Sequence, residues 1–386
     1  MSVWDCVIGQ QNAVDRLRKV ALSDKSSIAQ CWLICGPTGS GCTKLARAFA
    51  AALESEDCGE GDTLSKVSSE VLAGSHPDVN VLSTDKVTIS IDEVRDIVAL
   101  SSQMPSTAPW RIIIIEDIGR MLERTTNVLL KEIEEPSDRT MWLVCAASAH
   151  DVLPTIRSRM QVVTLSMPDE SAVSKYVMEQ TGVDERIANQ AARISQGNID
   201  EALLYAEDER VRVNRDELIA GIFRMSSASD AIILAGNIID DAKTQAEVEV
   251  QKEVDFQQQE FKRINGLSNE DRIPTKLRSA YTALSKKDEV KRRVTRKSRD
   301  VINRALDAID SVYRDVLVIS SNAQSVTPII NQQYKSNIEA LAQKLSIKDV
   351  LSRVDAIATA RRRLAFNGNP TLDCEALLCS LIVGKA

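Results

Sequence analysis

The sequence has few aromatic residues and few of the residues that break helices. Phe, Trp and Tyr together make up 4% of its 386 residues, and there are only 15 glycines and 10 prolines. Since Gly and Pro are the residues that disfavour helix most strongly, we expect helices to dominate the structure. The 44% of apolar and 27% of charged residues are typical of a soluble globular protein, and the length suggests two or three domains.

Long apolar runs are also missing. No stretch reaches the roughly 18 apolar residues that a membrane-spanning helix requires. The first residues, MSVWDCVIGQQ, have neither the basic start nor the apolar run of a secretory signal. We therefore expect a cytoplasmic protein that has no membrane partner.

The cysteines form no close pair, and positive charge is not in excess. Eight isolated cysteines without a CxxC spacing are typical of small buried side chains in a cytosolic protein. The net charge of -7 disfavours binding of DNA over a broad surface, because phosphate binding depends on Lys and Arg. Such a chain can still join a complex whose other members supply the positive charge.

Short apolar runs alternate with helical patterns in the first part of the chain. Strands are predicted at 31–35, 78–84, 111–117, 141–148 and 161–166. Helices are predicted between them at 13–22, 44–54, 90–104 and 127–136. Continuous apolar strands that alternate with helices indicate a parallel sheet covered on both faces. The first domain, residues 1–166, is therefore predicted to be of the α/β class.

Only helical patterns follow this domain. Residues 167–210 contain three short helical patterns, and residues 211–386 are predicted to be all helical. Within the latter, residues 241–300 are long and highly charged, with an acidic half before a basic half. This favours a helical hairpin whose charges pair, and a nucleic-acid-binding tail is the alternative. No aromatic residues are interleaved with the basic residues at 286–299, which disfavours single-strand binding.

Residues 36–43, GPTGSGCT, are typical of a loop that surrounds the phosphates of ATP. Gly36, Gly39 and Gly41 allow the tight backbone path, and the hydroxyl of Thr43 stands where a magnesium ligand is required. The position of the lysine that contacts the β and γ phosphates is occupied by Cys42, which cannot supply its charge. Lys44 comes two residues after that position and is expected to point elsewhere on the helix.

The second part of an ATPase site is altered as well. The apolar strand 111–117 ends in Glu116-Asp117, the reverse of the Asp-Glu order that holds magnesium and polarises water. Glu116 would reach too far at the metal position, and Asp117 would fall short at the base position. With both parts altered, we predict no hydrolysis by this chain and no required cofactor. Weak residual binding of ATP or ADP stays open.

Six motifs together resemble one protein family, the AAA+ subunits of bacterial clamp loaders. The motifs are VIGQ (7–10), the loop at 36–43, HPDV (76–79), IIIIED (112–117), NVLLKEIEEP (127–136) and LPTIRSRM (153–160). Within this family the likeness is to the delta-prime branch of DNA polymerase III, in the form found in high-GC Gram-positive bacteria. It covers residues 1 to about 210 well and is looser beyond. It implies a RecA-like AAA+ domain, a helical lid and a helical collar that mediates oligomerisation.

The resemblance implies a role in a complex. Clamp loaders are five-subunit rings that place a sliding clamp on primer-template DNA. Delta-prime subunits do not hydrolyse ATP but present an arginine to the ATP of a neighbouring motor subunit. The motif that carries this arginine reads Ser158-Arg159-Met160, and Arg157 is the alternative assignment. The implied partners are the gamma/tau motor subunits and delta, with the clamp and DNA contacted through the complex.

The chain departs from this family at two places. Four zinc-binding cysteines usually precede the His-Pro-Asp motif, but residues 52–79 contain only Cys58, so no zinc is expected. A lid arginine that would sense nucleotide is replaced near Gly197 by Asp200, whose charge has the wrong sign. The strand end at Ala147 offers no hydrogen bond to water, although Ser148 is adjacent.

Two other functions stay open on the sequence alone. One is an active AAA+ ATPase, such as a motor subunit or a helicase-like protein. The other is a scaffold or DNA-binding protein that uses the basic stretch at 286–299. The leucines of the last two helical patterns either drive ring assembly or form the core of their own domain. These leucines are Leu364, Leu372, Leu377, Leu378 and Leu381.

Overall fold

The computed structural model divides the chain into two compact units, Met1–Asp208 and Glu209–Ala386. The structure describes residues 2–84, 88–268, 271–366 and 368–383. The first and last residues of the predicted domain ranges, 1 and 386, lie outside the described residues. No helix in the described part has the length and apolarity that are required to cross a membrane.

The first unit is built on a parallel sheet of five strands. The strands are β1 (Cys31–Cys35), β2 (Val79–Leu82), β3 (Arg111–Ile115), β4 (Thr140–Ala146) and β5 (Gln161–Thr164). Their order in the sheet is β2-β3-β4-β1-β5, and every neighbouring pair is parallel. This arrangement confirms the predicted α/β class, since parallel strands need crossover connections, which here contain helices.

Side chains of the central strands are buried on both faces of the sheet. Along β3, Ile112 and Ile114 face the helix that carries Phe49, while Ile113 and Ile115 pack on the opposite face. All residues of β1, β3 and β4 are buried. The alternation follows from the two-residue period of a strand, and burial on both faces explains why these strands read as continuous apolar runs.

Ten helices accompany the sheet in the described part of the first unit. They are α1 (Gln11–Ala21), α2 (Cys42–Glu54), α3 (Lys66–Leu72), α4 (Ile91–Ser101), α5 (Glu123–Thr126), α6 (Leu130–Glu134), α7 (Pro154–Arg157), α8 (Glu170–Thr181), α9 (Glu185–Ile194) and α10 (Ile199–Glu207). Helix α4 begins with the predicted capping box, in which the Ser90 hydroxyl accepts from the amide of Glu93.

Of the predicted strands and helices of the first domain, only the strand at 31–35 has the observed bounds, and two of the differences at element ends bear on the site. The helix predicted over 127–136 is a 3-10 turn at Asn127–Leu129 followed by α6, and it ends two residues before Pro136. The strand predicted over 111–117 ends at Ile115, so Glu116 and Asp117 lie in the connection that follows β3. Both acidic side chains therefore stand at the carboxyl edge of the sheet.

The second unit consists of helices and the loops that connect them, with no strand among its described residues. Its helices are α11 (Glu209–Arg224), α12 (Ala228–Ile264), α13 (Thr275–Ala283), α14 (Lys287–Ser320), α15 (Lys335–Lys344), α16 (Ile347–Ala365) and α17 (Pro370–Leu381). Helices α12 and α14 pack side by side. The ammonium group of Lys297 on α14 lies 3.4 Å from Glu249 and 3.0 Å from Glu253 on α12. Lys297 of the basic half thus pairs with two glutamates of the acidic half across a hairpin.

The leucines of the last two helices belong mainly to the core of their own unit. Four of them, at positions 364, 377, 378 and 381, are buried in the hydrophobic cluster of the second unit. Leu372 is the exception, with 61% of its surface exposed. Of the two alternatives for these leucines, the internal core is therefore the correct one for four of the five.

Candidate functional site

The loop at residues 36–43 connects β1 to α2 and has the backbone path that its glycines predict. Gly41 caps α2 with φ of 93°, and Gly39 has φ of 88°, a region that favours glycine. A Cβ atom on Gly39 would also lie 2.5 Å from the side chain of Asn198. Because Asn198 caps helix α10, the helical segment after the sheet lies directly against the loop.

Gln10 holds the loop from its other side. Its amide Nε2 donates to the carbonyl oxygen of Ser40 at 3.3 Å and to that of Ser166 at 2.5 Å, and the Ser166 amide donates to Gln10 Oε1 at 3.4 Å. Only 5% of Gln10 is exposed. The last residue of the VIGQ motif therefore joins the loop to the segment that follows β5.

All the residues predicted for a degenerate nucleotide site line a single cavity of about 200 Å³. They are Gly36, Gly39, Gly41, Cys42, Thr43, Glu116 and Asp117. The cavity is completed by Pro37, Thr38, Lys44, Ala146, Ala147, Ile199 and Asp200. Its volume lies below the 300 to 1,000 Å³ or so that is usual for a small-molecule site.

The thiol of Cys42 is turned back onto the loop. Its Sγ lies 3.5 Å from the hydroxyl of Ser40 and 3.7 Å from the carbonyl oxygen of Gly36. Burial raises the pKa of Cys42 above its usual value, although the contact with Ser40 lowers it in part. The thiol is therefore neutral at physiological pH and supplies neither positive charge nor reach toward a phosphate chain.

The sequence led us to expect that Lys44 points away from the site. In the structure its side chain instead lines the cavity. Its ammonium nitrogen lies 2.7 Å from the Oδ1 atom of Asp200 on α10. Both residues line the cavity, so this cation is already bound to a carboxylate of the same chain. The ion pair connects the helix after the loop to the helical segment that was predicted as a lid.

The two carboxylates that follow β3 are also engaged by arginines of the same chain. Arg47 on α2 contacts Glu116 through Nη2 at 3.1 Å. Asp117 accepts from the amide of Gly119 at 3.0 Å and contacts Nε of Arg120 at 3.2 Å. Each contact competes with coordination of a magnesium ion or orientation of a water molecule.

The remaining residues considered for sensing nucleotide either have no polar side chain or form hydrogen bonds and ion pairs elsewhere in the chain. Ala147 lines the cavity and has no polar side chain. The hydroxyl of Ser148 accepts from the amide of His150 at 3.2 Å and does not line the cavity. Arg193 is paired with Glu170 at 3.0 Å, so its guanidinium contacts α8.

Arg159 lies outside this cavity, on an exposed part of the first unit. Its Nη1 donates to the carbonyl oxygen of Thr155 at 2.7 Å, and its Nη2 lies 2.8 Å from Oε1 of Glu134 on α6. The side chain is 41% exposed. The hydroxyl oxygen of Ser158 lies 3.5 Å from Nη1 of the same guanidinium.

Arg157 and Met160 of the same motif are placed differently from Arg159. Arg157 is partly buried and donates to the carbonyl oxygen of Ala149 at 3.1 Å. Met160 is buried, with 7% exposure, in the cluster on one face of the sheet. Arg159 is thus the arginine of this motif that presents its guanidinium to solvent.

Asp78 of the HPDV motif is a structural anchor that the sequence did not reveal. It is fully buried, and its carboxylate accepts from the amides of Ser106 and Thr107, each at 2.8 Å. Nη2 of Arg111 lies 3.1 Å away. Burial acts to raise the pKa of Asp78, but the hydrogen bonds from Ser106 and Thr107 outweigh it and lower the pKa to about 2.

The positions considered for zinc do not converge. Among the residues that the structure describes, no group of three or more His, Cys, Asp and Glu side chains is arranged to hold a metal ion. Cys58 packs against the core of the first unit, and Nδ1 of His76 accepts from the amide of Asp78 at 3.3 Å. The expectation of no zinc stays a prediction.

Comparison with known proteins agrees with the motifs over the first unit. A family model described as DNA polymerase III, delta subunit, matches residues 9–169. DNA polymerase III subunit delta' of Pseudomonas aeruginosa is 30% identical over 164 residues, which are 40% of this chain and 49% of that protein. The corresponding subunit of Haemophilus influenzae is 34% identical over 115 residues, 30% of this chain and 35% of that protein.

A motor-type relative matches over a longer stretch with lower identity. DNA polymerase III subunit tau of Bacillus subtilis is 26% identical over 243 residues, which are 61% of this chain and 41% of that protein. The chain thus spans about half or less of the length of these relatives. Over residues 9–169 the chain is therefore similar to the DNA polymerase III delta-subunit family, in agreement with the resemblance that its motifs show.

Proposed function

We propose that this chain is a delta-prime type of clamp-loader subunit that does not hydrolyse ATP. In this proposal it supplies Arg159, with Ser158 beside it, to the nucleotide bound by a neighbouring motor subunit. Its own phosphate loop keeps the backbone path of a nucleotide-binding loop but lacks the lysine that ATP hydrolysis requires. The form found in high-GC Gram-positive bacteria stays our prediction for its branch of the family.

The charge of the cavity is the observation that carries the proposal. Among the residues that line it are three carboxylates, at Glu116, Asp117 and Asp200, and one cation, Lys44. That cation is already paired with Asp200. A triphosphate entering the cavity would find its one lining cation already paired and no lysine at position 42, so binding of ATP is expected to be weak and hydrolysis absent.

The exposure of Arg159 supports the second half of the proposal. Its guanidinium does not line the chain's own cavity, yet it is held in one orientation by Thr155 and Glu134. A planar guanidinium has five N–H donors, and the contacts with Thr155 and Glu134 leave donors available for a phosphate. An arginine that reaches the γ-phosphate of another subunit is worth on the order of 10³ to 10⁵ in rate.

The proposed partners follow from this role. Gamma/tau motor subunits would bind the nucleotide that Arg159 contacts, and delta would complete the ring. The sliding clamp and primer-template DNA would be reached through the complex, in the cytoplasm. No cofactor is required by this chain, and residual binding of ATP or ADP in its small cavity would be incidental.

An active AAA+ ATPase is the second candidate, and the match to subunit tau favours it. The occupied carboxylates at Glu116 and Asp117 count against it, because arginines of the same chain hold both. The third candidate, a scaffold or DNA-binding protein, would use the basic stretch at 286–299. Part of that charge is already neutralised, since Lys297 pairs with Glu249 and Glu253.

Reconstitution with the partner subunits tests the proposal. The purified chain is mixed with the gamma/tau and delta subunits of the same organism, and the mixture is separated by size with light scattering. We expect one assembly that contains all three, and no ATP hydrolysis by the chain alone. Failure to assemble would overturn the assignment to a clamp loader, and robust turnover by the isolated chain would favour the motor-type ATPase.

A further inference from the structure

The hairpin of α12 and α14 contains a second cavity, larger than the one at the phosphate loop. Its volume is about 740 Å³, and it runs between the two helices in the second unit, with Pro370 and Thr371 at the start of α17 completing its lining. On α14 the lining residues extend from Lys287 to Ile302, a distance of roughly 22 Å along a helix axis. The cavity is therefore an elongated groove, which we call the hairpin groove.

The floor of the hairpin groove is formed by branched aliphatic side chains. Val254 and Ile302 are buried there, with 3% and 2% exposure. Ile239 on α12 and Val290 and Val294 on α14 are half-buried along the same surface. Both helices contribute residues at steps of three or four, so a continuous apolar strip lies between them.

The walls of the hairpin groove are basic. Among its lining residues are four cations, Lys243, Lys287, Lys291 and Arg299, against one carboxylate, Glu247. The Nε atom of Arg299 is buried and has no hydrogen-bond partner within the described part of the chain. The four cations therefore outnumber the single carboxylate along the groove, and the guanidinium of Arg299 has donors that no side chain of the groove satisfies at Nε.

We propose that the hairpin groove binds an acidic amphipathic helix of a partner protein. An apolar strip between two helices is the surface into which a third helix inserts its own apolar face. Carboxylates beside that face would pair with the four cations, and one of them would accept from Arg299. This inference does not rest on the proposed clamp-loader function, because it depends only on the second unit.

The distribution of charge favours a helix over two other occupants. The cations at Lys287 and Arg299 stand about 18 Å apart along α14, so a fatty acid with one carboxylate would leave one end without a counter-charge. A nucleic acid would pair its phosphates with the cations but would have no use for the aliphatic floor. A helix with carboxylates on several turns matches both features along the whole groove.

Binding of designed peptides to the full chain tests the inference. The probe is a fluorescent peptide of about 18 residues, roughly 27 Å as a helix, with leucines on one face and glutamates on the others. One control peptide has lysines in place of the glutamates, and a second has alanines in place of the leucines. We expect fluorescence anisotropy to show saturable binding of the first peptide and at least tenfold weaker binding of both controls.

Variants of the chain identify the binding surface. Lys291→Glu and Arg299→Glu are each expected to weaken binding of the acidic peptide roughly tenfold. Arg292→Glu is the matched control, since Arg292 is exposed on the same helix but does not line the hairpin groove, and it should bind as the parent does. Circular dichroism and thermal unfolding confirm that each variant is folded.

Three outcomes would overturn the inference. They are no binding of the acidic peptide at millimolar concentration, equal binding of the lysine peptide, and no effect of the two charge reversals relative to Arg292→Glu. Dodecanoate and a single-stranded oligonucleotide are titrated in parallel. If either binds tightly at this surface while the acidic peptide does not, the occupant is a lipid or a nucleic acid and not a helix.

Discussion

Arg159 forms an ion pair with Glu134, whose Oε1 atom lies 2.8 Å from Nη2 of the arginine. The two residues come from the two motifs that were most specific for the clamp-loader family, LPTIRSRM and NVLLKEIEEP. Both side chains are close to half exposed, so the pair contributes little to stability. The ion pair matters instead for the orientation of the Arg159 guanidinium, which it holds toward Glu134.

Removal of Glu134 should therefore impair function without affecting folding. In a reconstituted complex, Glu134→Ala is expected to lower ATP turnover roughly tenfold, because the guanidinium loses its orientation. Glu134→Gln should be less harmful, since an amide oxygen can still accept from Arg159. Glu135→Ala is the matched control, as Glu135 is the next residue and is exposed. Equal turnover for Glu134→Ala and Glu135→Ala would show that the ion pair has no positioning role.

Restoring a lysine in the phosphate loop should recover binding but not hydrolysis. Cys42→Lys places a charge beside the phosphates and is expected to tighten binding of a fluorescent ATP analogue by about tenfold. The reversed acidic pair stays bound to Arg47 and Arg120, so release of phosphate should remain at background. Cys42→Ala is the control that should change neither quantity. Turnover by Cys42→Lys would mean that the cysteine alone silences the site.

Loss of the Asp78 anchor should destabilise the first unit. Asp78→Asn leaves Arg111 buried without its counter-charge, and we expect a loss of about 3 kcal/mol in the free energy of unfolding. The pKa of Asp78 is lowered to about 2 in the folded chain, so its contribution is present above pH 4 and is lost as the pH falls toward 2. Urea unfolding at pH 7 and pH 3 should therefore show a smaller difference between the two proteins at pH 3. A difference that is equal at both values would contradict this assignment.

Glu54 should make stability depend on pH in the opposite direction. The residue is 4% exposed, and burial raises its pKa to about 8, although the amide of Trp110 lowers it in part. The folded chain thus binds a proton that the unfolded chain releases near pH 4.5, so stability falls as the pH rises from about 5 to 8. At pH 7 this costs on the order of 3 kcal/mol. Glu54→Gln should flatten the pH profile of thermal unfolding over this interval, and an unchanged slope would exclude Glu54 as its source.

The sequence was sufficient for the sheet and the phosphate loop because both depend on local patterns. Continuous apolar runs identified all five strands, and the glycines at 36, 39 and 41 identified the loop. The ends of the elements were less accurate. The strand predicted over 111–117 is two residues shorter in the structure and ends at Ile115. Apolarity and charge do not show where the pairing of strands stops.

The contacts that define the site could not be predicted, because they join residues far apart in the chain. Lys44 pairs with Asp200, and Arg47 with Glu116, across helix and strand positions that only the folded chain brings together. Lys44 was expected to point away because it comes after the motif position, which Cys42 occupies. Gln10 was visible only as part of the VIGQ motif, and its hydrogen bonds to the loop appear only in the structure.

The most direct measurement is ATP hydrolysis by a reconstituted complex of this chain with motor and delta subunits. Arg159→Ala is compared with Arg157→Ala, and assembly is checked for each. We predict that turnover at the neighbouring motor site falls on the order of 10³-fold with Arg159→Ala, that the complex still assembles, and that Arg157→Ala has a much smaller effect. An assembled Arg159→Ala complex with undiminished hydrolysis would contradict the account.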